Sequence, residues 1–200
     1  HKSHSNRLKR LLDDFSPGAV VCTQAFACGM VSDYKATHGY PVPLYGVLTD
    51  FLPHSYWVLE EVDHYFVPSD EAGQKLGENG IFEDRITVTG IPIDPAYRSR
   101  PPAKPAGKNP PAVLVMGGGL GIGPIERIVS ALDKLTDDLE IVVVAGRNSK
   151  LYAKLERRKK TLRKKIRIYA YFNPLVNLMQ SAYLLISKPG GLTISEAMAC

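Results

Sequence analysis

Short apolar runs of strand length alternate with longer helix-like segments along the whole chain, and this alternation restricts the possible folds more than any other feature. In the first half the predicted strands are 19–23, 42–49, 65–68 and 86–89. In the second half they are 112–116, 139–145, 166–170 and 183–187. Strands that alternate with helices predict parallel sheets covered by helices on both faces. The sequence therefore predicts an α/β protein.

A proline-rich segment separates the two series of strands and helices. Residues 98–111 read RSRPPAKPAGKNPP, with five prolines and no large apolar side chain. Proline fixes φ and lacks an N–H donor, so this segment cannot continue a helix or a central strand. We predict a linker over 98–110, between a first domain at 1–97 and a second domain at 111–200. A long surface loop within one domain is the alternative.

The net charge of +5 comes from one segment, because residues 150–167 contain ten Lys or Arg and a single acid. On a helix from 150 to 164 these residues would form a basic face. We expect this face to meet an anionic membrane surface rather than nucleic acid. A solvated helix face that only keeps the protein soluble is the alternative. The longest apolar runs are strand-sized, so we expect peripheral membrane association without a membrane-spanning helix.

The three cysteines, Cys22, Cys28 and Cys200, are odd in number and lack metal-like spacing. This pattern argues against a disulfide framework and a zinc site. The simplest interpretation is buried, reduced thiols in a cytoplasmic protein.

The first candidate site is the glycine-rich turn GGGLGIG at 117–123, between a predicted strand and a predicted helix. Glycine lets a phosphate approach the backbone without a Cβ in the way, and the helix behind it offers free N–H groups. The spacing does not match a dinucleotide-binding fingerprint or a P-loop. A tight turn required only by packing is the alternative.

The second candidate site is SKPGGLTISE at 187–196, which ends a strand and opens a helix. The backbone of Gly190 and Gly191 and the N–H groups of Leu192 and Thr193 can bind a phosphate. Glu196 lies one turn further along the helix, where a carboxylate can accept hydrogen bonds from the two hydroxyls of a ribose. A carboxylate that only stabilises the helix N-terminus is equally compatible with this position.

Several segments, in order along nearly the whole chain, resemble glycosyltransferase family 28. The run GGLTISEAMA is similar to the donor-binding motif of that family. Other runs resemble its diacylglycerol glycosyltransferase branch, which includes monogalactosyldiacylglycerol synthase and processive diacylglycerol glucosyltransferase. They are LTDFLPHSYWV, VDHYFVPSD, TGIPID, VMGGGLGIGPIE, VVVAGRNSKL and SKPGG.

The resemblance implies two Rossmann-like domains of the GT-B type, both incomplete in this chain. It implies inverting transfer of a hexose from UDP-hexose to diacylglycerol or a glycosyl-diacylglycerol. The alternatives are a lipid-linked N-acetylglucosaminyltransferase of peptidoglycan synthesis, a non-catalytic nucleotide-sugar sensor and, more weakly, a sugar epimerase.

The resemblance also assigns roles to residues in the second half. Glu196 would hold the uridine ribose, and Arg147 and Phe172 would frame the uracil. The diphosphate would lie between two segments. The first contains Gly118, Gly119, Leu120 and Gly121, and the second contains Gly190, Gly191, Leu192 and Thr193. UDP-hexose is then a substrate, and neither a cofactor nor a metal is expected.

The candidate catalytic residues of the first half are Asp50 and His54, in a loop with Trp57 after a predicted strand. Inversion at an anomeric carbon needs a base within reach of the acceptor hydroxyl. The resemblance implies that the usual catalytic His lies before His1, and that the segment reading the sugar hydroxyls follows Cys200. We therefore expect His54 to help place the acceptor more than to act as the base. Leu59 stands where relatives often carry a second His, which weakens both candidates.

Overall fold

The computed structural model describes residues 2–99 and 110–200, with side chains from residue 7 onward. The chain forms two compact units, His1–Pro92 and Ile93–Cys200, each with its own core. Most of the predicted linker, residues 100–109, lies outside the described residues. The predicted α/β class, with two parallel sheets, is confirmed.

The first unit consists of one four-stranded parallel sheet and three helices. Its strands lie in the order β1-β2-β3-β4, so each strand pairs with the next one along the chain. They are β1 (Val20–Cys22), β2 (Leu44–Val47), β3 (His64–Val67) and β4 (Ile86–Val88). The helices are α1 (Lys2–Phe15), α2 (Ala25–His38) and α3 (Asp70–Glu78).

One face of this sheet carries the core of the first unit. Leu44, Tyr65 and Val67 are fully buried there against residues of α2 and α3. Alternate residues point to the opposite face, where Tyr45 and Phe66 are half-buried and Val21 is 59% exposed. The expectation of helices on both faces is therefore not met by the described part of the first unit.

Capping residues define one end of α2 and one end of α3. Helix α2 ends before Gly39, which has φ of +60° and donates its N–H to the Lys35 carbonyl. Because glycine adopts this left-handed conformation without strain, it is a favoured helix end. Ser69 caps α3, since the Ser69 side chain accepts from the Ala72 N–H.

A partly buried ion pair ties α2 to the sheet of the first unit. Lys35 Nζ lies 2.8 Å from Asp63 Oδ2, and its side chain is only 8% exposed. The same carboxylate accepts the Leu44 N–H at 2.7 Å, where β2 begins. Burial alone would raise the pKa of Asp63, but the hydrogen bonds from Lys35 and Leu44 outweigh burial and leave the pKa lowered. Asp63 therefore holds together a helix and the start of a strand.

The second unit contains a four-stranded parallel sheet in the order β7-β6-β5-β8. Its strands are β5 (Ala112–Met116), β6 (Glu140–Val144), β7 (Lys165–Tyr169) and β8 (Leu184–Ser187). Its helices are α4 (Ile125–Lys134), α5 (Ser149–Arg158), α6 (Leu175–Ser181) and α7 (Gly191–Ala199). The strand order reverses between β5 and β8, as it does in a Rossmann sheet.

Both faces of the second sheet are covered, because successive residues of β5 and β6 alternate between two cores. Val113 and Val115 pack with buried residues of α4 and α5. Leu114 and Met116 pack on the other side with residues of α6 and with Tyr97. Strands buried on both faces have continuous apolar sequences, and β5 and β6 show this pattern.

Residues 93–99 belong structurally to the second unit, although the sequence boundary was placed at 97. A 3₁₀ turn at Pro95–Arg98 begins with Asp94, whose carboxylate accepts the Ala96 N–H at 2.8 Å. Gln180 of α6 donates to the carbonyls of Ala96 and Ser99 at 3.3 and 2.9 Å. Tyr97 is thereby buried in a core of the second unit, with 8% of its surface exposed.

The structure addresses two predictions from the sequence, the lack of a membrane-spanning helix and the burial of the cysteines. Within residues 2–99 and 110–200, no helix combines the length and apolar character needed to cross a bilayer. Cys22 and Cys28 are buried free thiols, but Cys200 is exposed, so the prediction of buried cysteines is wrong for Cys200.

We expect Asp63→Asn to lower the free energy of unfolding by about 2 kcal/mol, because it leaves the Lys35 ammonium buried without its counter-ion. The matched control is Glu78→Gln, which removes the exposed partner of Lys75 and should cost much less, because solvent screens an exposed ion pair. Because the folded pKa of Asp63 is lowered, its contribution is lost as pH falls from the ordinary value of 3.8 through the folded value. Urea unfolding at pH 7 and pH 3 measures both effects, and equal losses in the two variants would contradict them.

Candidate functional site

Both predicted glycine turns lie where the strand order of the second sheet reverses. Met116 at the end of β5 pairs with Ser187 at the end of β8, so the two turns leave the sheet side by side. Ligands of open α/β sheets bind outside the carboxyl ends of the strands at such a reversal. The fold therefore brings together the two segments that the sequence identified separately.

The first turn is held together by its own backbone. The Gly121 N–H donates to the Gly118 carbonyl, and the Ile122 N–H donates to the Gly117 carbonyl, both at 3.0 Å. A Cβ on Gly121 would lie 1.9 Å from the Ala145 carbonyl oxygen, whereas a Cβ on Gly119 would meet nothing within 4 Å. The packing explanation thus applies to Gly121, while the protein's own packing does not require glycine at 119.

The loop after β6 supports this turn from the next strand. The Arg147 N–H donates to the Gly119 carbonyl at 2.9 Å, which fixes the backbone at the open glycine. Asn148 donates its side-chain amide to the Gly121 carbonyl at 3.1 Å and accepts the Leu151 N–H at 2.9 Å, capping α5. The Arg147 side chain is exposed. Sequence reasoning missed Asn148, although an Asn directly before a helix is a recognisable cap.

The second turn opens α7 without a side-chain cap. Gly190 occupies the cap position, and its N–H donates to the Lys188 carbonyl at 2.9 Å. The first N–H groups of a helix have no partner within the helix. The backbone donors of Gly191, Leu192 and Thr193 therefore lie at the positive end of the α7 dipole, as an anion site requires.

Glu196 lies one turn into α7 and interacts with the segment that follows the first unit. Burial raises its pKa, the charge of Asp94 raises it further, and a hydrogen bond from Tyr97 partly offsets both. Burial, followed by the charge of Glu196, raises the pKa of Tyr97 to about 12. The sequence did not connect Glu196 with Asp94 and Tyr97, since nearly a hundred residues separate them along the chain.

Phe172 and Arg147 lie on neighbouring loops, because β7 and β6 are paired. The Phe172 ring packs edge-on against Tyr169, with ring centroids 4.7 Å apart, and is partly buried. Phe172 therefore has a fixed ring at the carboxyl edge of the sheet, next to a loop with an exposed guanidinium.

The candidates of the first unit separate into exposed and buried side chains. Asp50 and His54 are exposed, whereas Trp57 is buried in the core with 2% exposure and does not join them. His54 Nδ1 accepts the Tyr56 N–H at 3.3 Å and caps the 3₁₀ turn at Ser55–Trp57. The Tyr65 hydroxyl of β3 donates a hydrogen bond to the Trp57 carbonyl at 2.6 Å, which fixes the end of this loop. The structure thus gives His54 a local structural role, and its catalytic role stays a prediction.

Two family profiles together match nearly the whole chain. Residues 2–93 match the profile described as Monogalactosyldiacylglycerol (MGDG) synthase. Residues 112–200 match the profile described as Glycosyltransferase family 28 C-terminal domain. The two matches correspond closely to the two units of the structure.

Curated relatives are 31% and 32% identical to this chain over the aligned residues. The processive diacylglycerol beta-glucosyltransferase of Bacillus subtilis is 31% identical over 99% of this chain and 53% of its own length. The enzyme of the same name from Bacillus pumilus is 32% identical over the same shares. The chain thus spans about half the length of the curated relatives it matches.

Solved structures show the same fold at lower sequence identity. The Staphylococcus aureus MnaA–UDP co-structure has a TM-score of 0.64 at 19% identity, over 98% of this chain and 58% of that protein. Acinetobacter baumannii MurG has a TM-score of 0.62 at 15% identity, over 98% and 53%. The lipopolysaccharide outer core galactosyltransferase WaaB has a TM-score of 0.58 at 16% identity, over 98% and 58%. These likenesses confirm the predicted fold of the GT-B type.

We expect Gly121→Ala to lower the free energy of unfolding by at least about 2 kcal/mol, since it forces a side chain into a left-handed position and against a carbonyl oxygen. Gly119→Ala is the matched control, because its Cβ meets nothing within 4 Å, and its stability should equal that of the wild type. Thermal unfolding of both variants is the measurement. Equal stability of the two variants would show that the turn does not depend on close packing at Gly121.

Proposed function

The chain belongs to glycosyltransferase family 28, and from this membership we propose that the full-length protein transfers a hexose from UDP-hexose to diacylglycerol or a glycosyl-diacylglycerol. The observation that carries the proposal is the pair of glycine turns at the strand reversal, with the uncapped α7 and Glu196 beside them. The names of the curated relatives support the choice of a lipid acceptor.

The donor diphosphate is proposed to lie between the two glycine turns. The open space at Gly119 admits a phosphate, because no protein atom lies where its Cβ would be. The N–H groups of Gly191, Leu192 and Thr193 then supply hydrogen bonds from the start of α7. Gly118, Leu120 and Gly121 complete the wall of the first turn.

The uridine is proposed to extend from the diphosphate along two neighbouring loops. Glu196 accepts hydrogen bonds from the ribose hydroxyls, and Arg147 and Phe172 frame the uracil. Burial raises the pKa of Glu196, so a bound ribose would replace lost hydration with hydroxyl donors. A hydrogen bond from Tyr97 already orients the carboxylate in the absence of ligand.

The proposed reaction is a displacement with inversion. The acceptor hydroxyl oxygen forms a bond to the anomeric carbon as the bond between that carbon and the β-phosphate oxygen breaks. UDP leaves with the bonding electrons, and a base takes the hydroxyl proton. We propose that Asp50 and His54 help to place the acceptor, because both are exposed. Reaction without a metal or cofactor stays a prediction.

We expect Glu196→Gln to weaken UDP binding by about 1.5–3 kcal/mol, the usual size of one hydrogen bond to a charged group. The full-length protein, titrated with UDP in a calorimeter, is the sample. Unchanged affinity would leave Glu196 only as a stabiliser of the α7 N-terminus. Turnover of UDP-hexose with diacylglycerol, tested on the same pair of proteins, separates an enzyme from a nucleotide-sugar sensor.

Peripheral association with an anionic membrane is the remaining part of the proposal, and acidic neighbours reduce the charge available for it. Helix α5 ends at Arg158 rather than at the predicted residue 164, followed by a 3₁₀ turn over 159–161. Lys154 pairs with Glu126, and both Lys165 and Arg167 pair with Glu140. Within the described residues, the basic side chains of this segment without an acidic partner are Lys150, Arg157, Arg158, Lys160, Arg163 and Lys164.

We expect a variant with Lys150, Arg157, Lys160 and Arg163 changed to Gln to lose most of its binding to anionic vesicles. Each Lys or Arg near an anionic surface contributes about 1 kcal/mol, so four of them would weaken binding strongly. Sedimentation with anionic and neutral vesicles, at low and high salt, is the measurement. If the wild type binds in a salt-sensitive way and the variant binds equally well, docking occurs through the first unit.

A further inference from the structure

The side chain of Lys188 lies over both glycine turns. A Cβ on Gly118 would lie 2.9 Å from Lys188 Cε and 3.8 Å from its Nζ. A Cβ on Gly190 would lie 3.8 and 3.9 Å from the same two atoms. The lysine stem therefore fills the space that a side chain at 118 would need, and the ammonium is close to both turns.

Lys188 is exposed and has no acidic partner within the described part of the chain. Lys35, by contrast, pairs with Asp63 at 2.8 Å. A lysine held against two turns without a counter-ion can bind an anion from outside the protein. Nothing in the protein's own charge balance explains its position.

Ser187, the preceding residue, gives an independent indication of a missing partner. Its Oγ is buried and has no hydrogen-bond partner among the described residues. It is the one buried side-chain nitrogen or oxygen in the described part of the chain that lacks a partner. Buried hydroxyls in native proteins are almost always hydrogen-bonded, so an unsatisfied one needs an explanation. Ser187 pairs with Met116, so the unsatisfied hydroxyl is beside the point where both turns begin.

The charge of a diphosphate exceeds what the helix ends can balance. The N-termini of α4 and α7 each act as about half an elementary positive charge. A nucleoside diphosphate gains negative charge when its bond to the sugar breaks, so the need for positive charge is greatest as UDP leaves. A lysine ammonium is a compact point charge that suits phosphate oxygens.

We propose that Lys188 binds the diphosphate of the donor and stabilises the leaving UDP, which makes it a catalytic residue of the transfer. This inference rests on the proposed function, because it requires a nucleotide diphosphate between the two turns. It goes beyond the backbone donors, since it adds the full positive charge of the Lys188 ammonium next to the leaving UDP. The sequence placed Lys188 within the second candidate segment, 187–196, but assigned no role to its side chain.

The test compares Lys188→Met, Lys188→Arg and the control Lys134→Met in the full-length protein. Lys134 is an exposed lysine in the last turn of α4 and has no part in the proposed site. Calorimetry with UDP and with uridine separates binding of the phosphates from binding of the nucleoside. Steady-state transfer with UDP-hexose gives kcat for each variant.

We expect Lys188→Met to weaken UDP binding about tenfold or more, the loss typical of one charged hydrogen bond. Uridine binding should be unchanged, kcat should fall, and Lys188→Arg should recover much of both losses while Lys134→Met behaves as wild type. Unchanged UDP affinity and kcat in Lys188→Met would overturn the inference and leave the proposed function intact. Equal losses for UDP and uridine would also overturn it, since they indicate a distorted turn. Failure of the wild type to bind UDP more tightly than uridine would overturn the proposed diphosphate site itself.

Discussion

Parallel pairing between β5 and β8 is the constraint on which the candidate site depends. These strands are about seventy residues apart in the chain, yet Met116 and Ser187 are register partners. The strand order reverses at this pair. The turns that follow the two strands therefore lie next to each other with no helix between them. Two glycine-rich turns, two helix N-termini and one lysine therefore meet at one edge of the sheet. None of these features alone distinguishes an anion site from ordinary packing.

Much of the fold could be predicted, because both sheets are built from local signals. The pattern gave β5 with its observed bounds, since an apolar run marks this strand clearly. The prediction failed where a distant contact decides the conformation. Helix α5 ends early, and Asp133 of α4 then accepts the backbone N–H groups of Arg163 and Lys164 at 2.7 and 2.9 Å. Periodicity cannot reveal a hydrogen bond from another helix.

The segment 93–99 shows the same limit at the domain boundary. Prolines begin soon after it, so composition places residues 93–97 with the first domain and residues 98–99 with the linker. Its conformation is instead fixed by Gln180 of α6 and by burial of Tyr97. This segment also affects the candidate site, because Tyr97 and Asp94 form part of the environment of Glu196. Sequence reasoning located the carboxylate correctly on its helix and missed Asp94 and Tyr97, which after burial contribute to the shift of its pKa. The proposed ribose site therefore depends in part on residues that precede the second sheet.

The glycines of the first turn divide into those that the fold requires and those that it does not. At Gly121 a side chain would collide with the loop after β6, so the protein's own packing is sufficient to explain the residue. At Gly119 there is open space, although the backbone is fixed by the hydrogen bond from Arg147. A rigid backbone without a side chain, open to solvent, costs conformational entropy and gives nothing to stability. Together with the uncompensated charge of Lys188 and the unsatisfied hydroxyl of Ser187, it supports the proposal that an anionic ligand supplies the missing contacts.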